Sequence, residues 1–264
     1  MVTRQEVVVN YEGCGNTVGA EVVVLPLKED VLRSIYEAFA EWSTRFSFVC
    51  TKNCAACCTQ NVTMTAVEGE VIHRLIRENG REGWLAEKLQ AKWATVRPRM
   101  TTNDFAGACL QGADVHPEEC GNMSPCPFLE NGCCQIYEVR PFSCRCFASE
   151  QRCLSETSAL LPEHYLSAST AVMQIIEHLG QGEYWGNMLD VLSALCDLPE
   201  NRNYYATVLP TSFADQSRIQ VIKAKPLPGF LLLDEEMGKI APLLDAIFTR
   251  KVGEKTVESI LNGR

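Results

Sequence analysis

Apolar residues recur at helical spacing over much of this chain and at strand spacing over little of it. From Lys28 to Phe46, the residues Val31, Ile35, Phe39 and Trp42 fall three or four positions apart and predict an amphipathic helix. A second helix is predicted from Thr65 to Asn79. Thr65 stands at its N-cap, Glu68 completes a capping box, and Val71, Ile72, Leu75 and Ile76 supply the apolar face. Glu82 to Val96 reads as a third helix, closed by Pro98. Helical patterns return at Pro162 to Leu179 and Glu183 to Cys196, then near Glu236 to Arg250 and Glu254 to Leu261.

Strand-like runs are short. Val-rich segments at Glu6 to Asn10 and Glu21 to Leu25 predict a β-hairpin with a long glycine-containing loop. That loop is not a dinucleotide-binding turn. Val18 stands where the third glycine belongs, and a strand follows where a helix is required. Ile219 to Ile222 and Phe230 to Leu233 are two later strand candidates. Thr101 to Arg152 is rich in Gly, Pro, Asn and Cys without a period, and predicts a loop organised by its ligands.

The expected fold is mainly α: a helical domain over residues 1–200, with an irregular cysteine-rich metal-binding core at about 50–153 and a few short β-strands. A small α+β appendage over 201–264 follows, as a unit of its own or as part of the same domain. There is no internal repeat and no low-complexity linker.

Cysteine changes the picture. Eleven of the 14 cysteines form two groups: Cys50, Cys54, Cys57 and Cys58, then Cys120, Cys126, Cys133, Cys134, Cys144, Cys146 and Cys153. A buried thiolate is costly unless something positive neutralises it, so such density implies metal or disulfides. At 264 residues the chain can bury a core without covalent staples. Met1 to Asn10 has no signal-peptide pattern, and no apolar run approaches the roughly 18 residues that span a bilayer. The expected location is therefore cytoplasmic, a reducing compartment in which clustered cysteines read as metal ligands. The net charge of −9 argues against nucleic acid and against an anionic membrane as partners.

The spacing carries chemistry. Cys54-Ala-Ala-Cys57 lets two thiolates turn onto one centre, as in zinc knuckles and iron–sulfur loops. Adjacent side chains diverge, so in Cys57-Cys58 and Cys133-Cys134 either one residue ligates and the other packs, or the two serve different centres. Cys144 and Cys146, if extended, would face one side and share a centre. Pro125 and Pro127 stiffen the backbone around Cys126. Arg140 and Arg145 flank the site and can offset thiolate charge, or pair with carboxylates elsewhere. His116, four residues before Cys120, is a weaker candidate ligand, and Cys109 and Cys196 read as small buried hydrophobes.

Cys54-Ala-Ala-Cys57-Cys58 with Val62-Thr63-Met64-Thr65 resembles the first signature of the CxxCxxCC family of zinc- or iron-chelating cysteine-cluster proteins. Cys126-Pro127-Phe128-Leu129, Cys134-Gln135-Ile136-Tyr137, Arg140-Pro141 and Cys144-Arg145 resemble its second. A CPFL-type element and a paired-cysteine loop are also similar to flagellin lysine N-methylases. The resemblance spans roughly Cys50 to Phe147 and implies metal ligation by Cys50, Cys54, Cys57, Cys58, Cys126, Cys134 and Cys144. This chain departs from the pattern in the x3 spacing from Cys50 to Cys54 and in the additional Cys120, Cys133, Cys146 and Cys153.

Seven thiolates are too many for one tetrahedral zinc, and two iron–sulfur clusters take about eight, with Cys146 the natural eighth. With four histidines in the chain and none at zinc-finger spacing, the all-thiolate set leans toward one or two iron–sulfur clusters of the 4Fe–4S type, with zinc as the alternative. Three functions stay open: a redox or electron-transfer protein with a partner protein, a zinc-held scaffold without catalysis, and a methylase-like iron–sulfur enzyme. No phosphate loop, G-x-S-x-G elbow or H-E-x-x-H motif is present, so catalytic residues are not assigned.

Overall fold

The first predicted stripe is buried as a helix. In α1 (Leu25–Ser43), Val31 and Ile35 are fully buried, and Phe39 and Trp42 nearly so. The computed structural model describes residues 25–91, 95–116, 123–153 and 158–264. The predicted N-terminal hairpin lies outside them, except that Leu25 opens α1.

Two apolar cores organise the chain. In the first, α1 packs with α6 (Tyr165–Leu179), α10 (Asp234–Phe248) and α11 (Val257–Leu261), through Ala171, Ile175, Ile240, Leu243, Ile247 and Val257. The C-terminal helices thus share a core with the first helix. In the second, α2 (Ala66–Glu78), α3 (Glu82–Gln90) and α7 (Met188–Leu195) meet through Ile72, Ile76, Leu85, Val191, Leu192 and Leu195. Fully burying a side chain of this size is worth about 1.5–3 kcal/mol. Tyr205 at the end of α8 (Pro199–Tyr205) closes this core, and α9 (Phe213–Gln220) leans on it through Phe213.

The cysteine-rich stretch is anchored in both cores. Phe128 and Ile136 are buried in the second, and Phe142 in the first. A short antiparallel sheet lies alongside. β1 (Thr63–Thr65) pairs with β4 (Tyr184–Asn187), Met64 opposite Gly186, and β4 pairs with β5 (Ile222–Lys223). No helix among the described residues is long and apolar enough to cross a membrane.

The fold corrects several expectations. The third helix stops at Gln90, because Ala91 is already extended at φ −61° and ψ 145°. The stretch from Thr101 is not all loop. It opens with α4 (Thr102–Leu110), set by a second capping box in which Thr101 Oγ accepts from the Asp104 N–H. The first residues of the expected helix from Glu183 form β4, since their backbone is taken by β1 and β5, and Asn187 then caps α7. The first two residues of the expected strand from Ile219 to Ile222 end α9, and strand pairing is confined to Ile222 and the following Lys223. Phe230 to Leu233 form no strand. There the Gln174 amide donates to Gly229 O and accepts from Leu231 N, so a side chain takes the place of a neighbouring strand. Before α11, β6 (Lys251–Val252) and β7 (Lys255–Thr256) make a tight hairpin, and β7 takes the first residues of the helix expected from Glu254.

Candidate metal centre

Four separate chain segments bring their sulfurs to one cavity of about 390 Å³. Cys50, Cys54, Cys57, Cys58, Cys126, Cys134 and Cys144 all line it, and among the described residues no His, Asp or Glu does. The wall is completed by aromatic residues, among them Tyr36, Phe48, Tyr137 and Tyr165, and by Arg140 and Arg145.

Local backbone chemistry fixes each sulfur. The first segment turns twice: Cys54 N donates to Thr51 O, with Asn53 at φ 77°, and Cys58 N donates to Ala55 O. Cys126 N then donates to Cys58 O at 2.9 Å, and Gln60 N to Ser124 O at 2.9 Å. These bonds run Cys58 and Cys126 side by side across about 70 residues of sequence. Cys134 sits in a two-strand hairpin, β2 (Leu129–Glu130) against β3 (Cys133–Cys134). Asn131 and Gly132 between the strands both have positive φ, as a two-residue primed turn requires. That Asn-Gly pair is a hairpin signal that sequence reading missed.

Alternation along β3 sends its two cysteines to opposite faces. Cys134 lines the cavity and Cys133 does not. Cys144 belongs to a single helical turn, α5 (Phe142–Arg145), that starts after Pro141. Cys144 N donates to Pro141 O, and Ser143 Oγ donates to Thr63 O at 2.8 Å. Because this segment is helical, the expectation that Cys144 and Cys146 face the same side fails. Cys144 leans on the second core, while Cys146 packs against the first, with its Sγ 3.5 Å from Ser143 O. Cys153 neighbours Cys50 but is not part of the lining. Cys120 lies outside the described residues.

Electrostatics divides the lining thiols. Burial holds Cys144 well above an ordinary thiol pKa, and Cys126, Cys134, Cys146 and Cys57 push it further. Burial also pushes Cys126 up to about 11, with Cys134 adding to it, and raises Cys134. Cys58 goes the other way. A hydrogen bond from Cys57 favours its thiolate, against burial and the opposing Cys144, Cys126 and Cys134, while the same bond raises Cys57. Cys50 is raised by burial, and Cys54, Cys57 and Cys153 add to it. By exposure, Cys58, Cys126, Cys134 and Cys144 form a half-buried inner quartet. Cys50, Cys54 and Cys57 form an exposed outer trio. The adjacent pair Cys57-Cys58 is split between them. Burial likewise pushes Cys146 up to about 12.

Every described cysteine is free. Among the described residues, no three His, Cys, Asp or Glu side chains are drawn close enough to hold a metal ion as they stand. The donor set nevertheless fits a thiophilic metal: among the described residues the lining holds sulfur without carboxylate or imidazole, the preference of zinc and of iron–sulfur clusters rather than of calcium or magnesium. A bound cation reverses the thiol electrostatics, because a coordinated thiol is deprotonated outright.

The histidines stand apart. His116 is exposed and away from the cavity. His73 is fully buried between Tyr205 Oη at 2.8 Å and Leu192 O at 3.0 Å. Cys196 is buried, as expected of a lone cysteine, whereas Cys109 on α4 is only partly covered. No family model, no curated protein and no solved structure matches this chain.

Proposed function

We propose that this is an iron–sulfur protein of the cytoplasm that passes electrons to or from a partner protein. In this reading Cys58, Cys126, Cys134 and Cys144 hold a 4Fe–4S cluster, and Cys50, Cys54 and Cys57 supply three of the ligands of a second. The observation that carries it is the convergence of seven thiols on one cavity of about 390 Å³, with no His, Asp or Glu in its wall among the described residues. A structural zinc closes four ligands tightly around one ion, at about 2.3 Å for sulfur. Seven sulfurs around a space this large suit a bigger inorganic body.

A cluster bound there would supply one-electron chemistry. The chain's own residues do the rest. Phe128, Ile136 and Phe142 anchor the loops in the cores, so the sulfurs are held by the fold. The guanidinium groups of Arg140 and Arg145 offset thiolate charge from the cavity wall. The exposed Cys50, Cys54 and Cys57 give the outer site the access that a partner protein needs.

The test is anaerobic purification followed by iron, sulfide and zinc analysis with electron paramagnetic resonance. Iron and sulfide in equal amounts, with a signal after reduction, support the reading. A colourless protein with stoichiometric zinc overturns it in favour of a metal-held scaffold.

A further inference from the structure

Arg140 and Arg145 are both in the cavity wall, and neither forms an ion pair among the described residues. Most of their bonds go to backbone oxygens instead, and Arg145 also reaches the Tyr36 side chain. Arg140 Nη1 donates to Tyr137 O at 2.7 Å, Arg145 Nε to Arg140 O at 2.9 Å and Arg145 Nη2 to Glu138 O at 2.7 Å. Each guanidinium lies over an aromatic ring, Arg140 at 3.8 Å from the Tyr137 centroid and Arg145 at 4.4 Å from that of Tyr36. Lys52 approaches the Tyr137 ring at 5.2 Å and takes the nearby Glu138 carboxylate at 2.6 Å. In a chain of net charge −9, three cations thus gather at one rim, and the two carboxylates beside them are already engaged, Glu138 by Lys52 and Glu68 by Tyr36 Oη and the Phe142 N–H.

The remaining wall is shaped for an organic body. Phe39, Phe48, Phe147 and Tyr165 line it, an apolar face of the kind on which the body of a small organic ligand lies. Backbone bonds and ring stacking fix the guanidinium planes in advance, which lowers the entropy lost when an oxyanion docks.

We infer that the cavity has a second subsite, in which Arg140 and Arg145 receive the carboxylate of a small organic ligand whose apolar body lies on the aromatic wall. The inference deepens the iron–sulfur reading and rests on it for what shares the cavity, while the arginine subsite is tested separately. The fork of the guanidinium selects a planar oxyanion, and the rings select an apolar or aromatic tail.

The experiment is calorimetric titration of the anaerobically purified protein with phenylacetate, phenyl phosphate and phenethylammonium, with iron measured on the same samples. Phenylacetate is expected to bind with saturable heat, more tightly than phenyl phosphate, and phenethylammonium is expected to give none. R140Q and R145Q should each weaken phenylacetate by roughly tenfold or more, the scale of one charge-assisted hydrogen bond. If R140Q does not fold, R140K carries the test, since it keeps the charge and loses the fork; unchanged affinity there overturns the subsite. Equal binding of the anion and the cation, or no heat from iron-replete protein, also overturns it. Tighter binding of phenyl phosphate overturns the carboxylate assignment. Binding that depends on Arg140 in a protein without iron keeps the subsite and sinks the cluster reading instead.

Discussion

The carboxylate of Glu68 accepts a hydrogen bond from the backbone N–H of Phe142 at 2.7 Å, tying the first turn of α2 to the start of α5. The same side chain accepts from Tyr36 Oη at 2.8 Å, Thr65 N at 2.9 Å and Thr65 Oγ1 at 3.1 Å. A residue that caps one helix thus also positions the turn that carries Cys144. Glu68→Ala should cost about 3 kcal/mol in urea unfolding, because it strands buried donors on three elements. Glu68→Gln should cost less and still lower the metal content, by loosening Cys144. Full metal retention in both variants would show that Glu68 does not position the site.

The inner quartet makes different demands on neighbouring cysteines. Cys134→Ser should lower bound iron, whereas Cys133→Ser should leave it unchanged, since only Cys134 lines the cavity. Iron and sulfide assays on the two variants decide this, and equal losses would contradict the face assignment.

Metal removal should lower the thermal midpoint. The thiols come from segments as far apart as Cys50 and Cys144, so a centre bound to them cross-links the fold. Scanning calorimetry before and after anaerobic chelation measures the difference. An unmoved midpoint would mean that the segments are held by packing alone.

Two buried groups near α7 give opposite pH dependences. Burial holds His73 down at about 4, so its contribution is present above its unfolded value near 6.5 and lost as pH falls toward 4. Burial raises Glu70 to about 7, against Asn201 and Arg77, so its contribution is present below about 4.5 and lost as pH rises through 7. Between about 4.5 and 6.5 the two offset each other. Glu70→Gln removes one arm. Relative to the variant, the wild type should lose about 3 kcal/mol between pH 4.5 and 7. Urea melts at three pH values test this, and parallel curves would refute it.

Gly69 is required by packing. A Cβ there would meet Leu195 Cδ1 at 2.4 Å and Met64 Cε at 3.1 Å, across the contact of α2 with α7 and β1. Gly69→Ala should cost about 1–3 kcal/mol by overpacking, despite alanine's better helix propensity. Denaturant midpoints measure it; a stabilised variant would show that this contact yields.

Helices with local signals could be read along the chain alone. The stripe from Val31 to Trp42, the Thr65–Glu68 capping box and the grouping of cysteines are all matters of spacing along one segment, and α1, α2 and the thiol-lined wall follow them. The Thr101–Asp104 box and the Asn131-Gly132 turn were equally local signals, masked by the irregular composition around them. Tertiary structure decided the rest. Whether Tyr184 to Asn187 continue a helix or form a strand depends on β1, about 120 residues earlier. That Cys134 faces the cavity without Cys133, while Cys57 and Cys58 both do, depends on local backbone form, and the form of the Cys144 turn is fixed in part by Glu68 from another helix. Spacing can place candidate ligands along the chain, but only the meeting of distant segments gives their sulfurs a common direction.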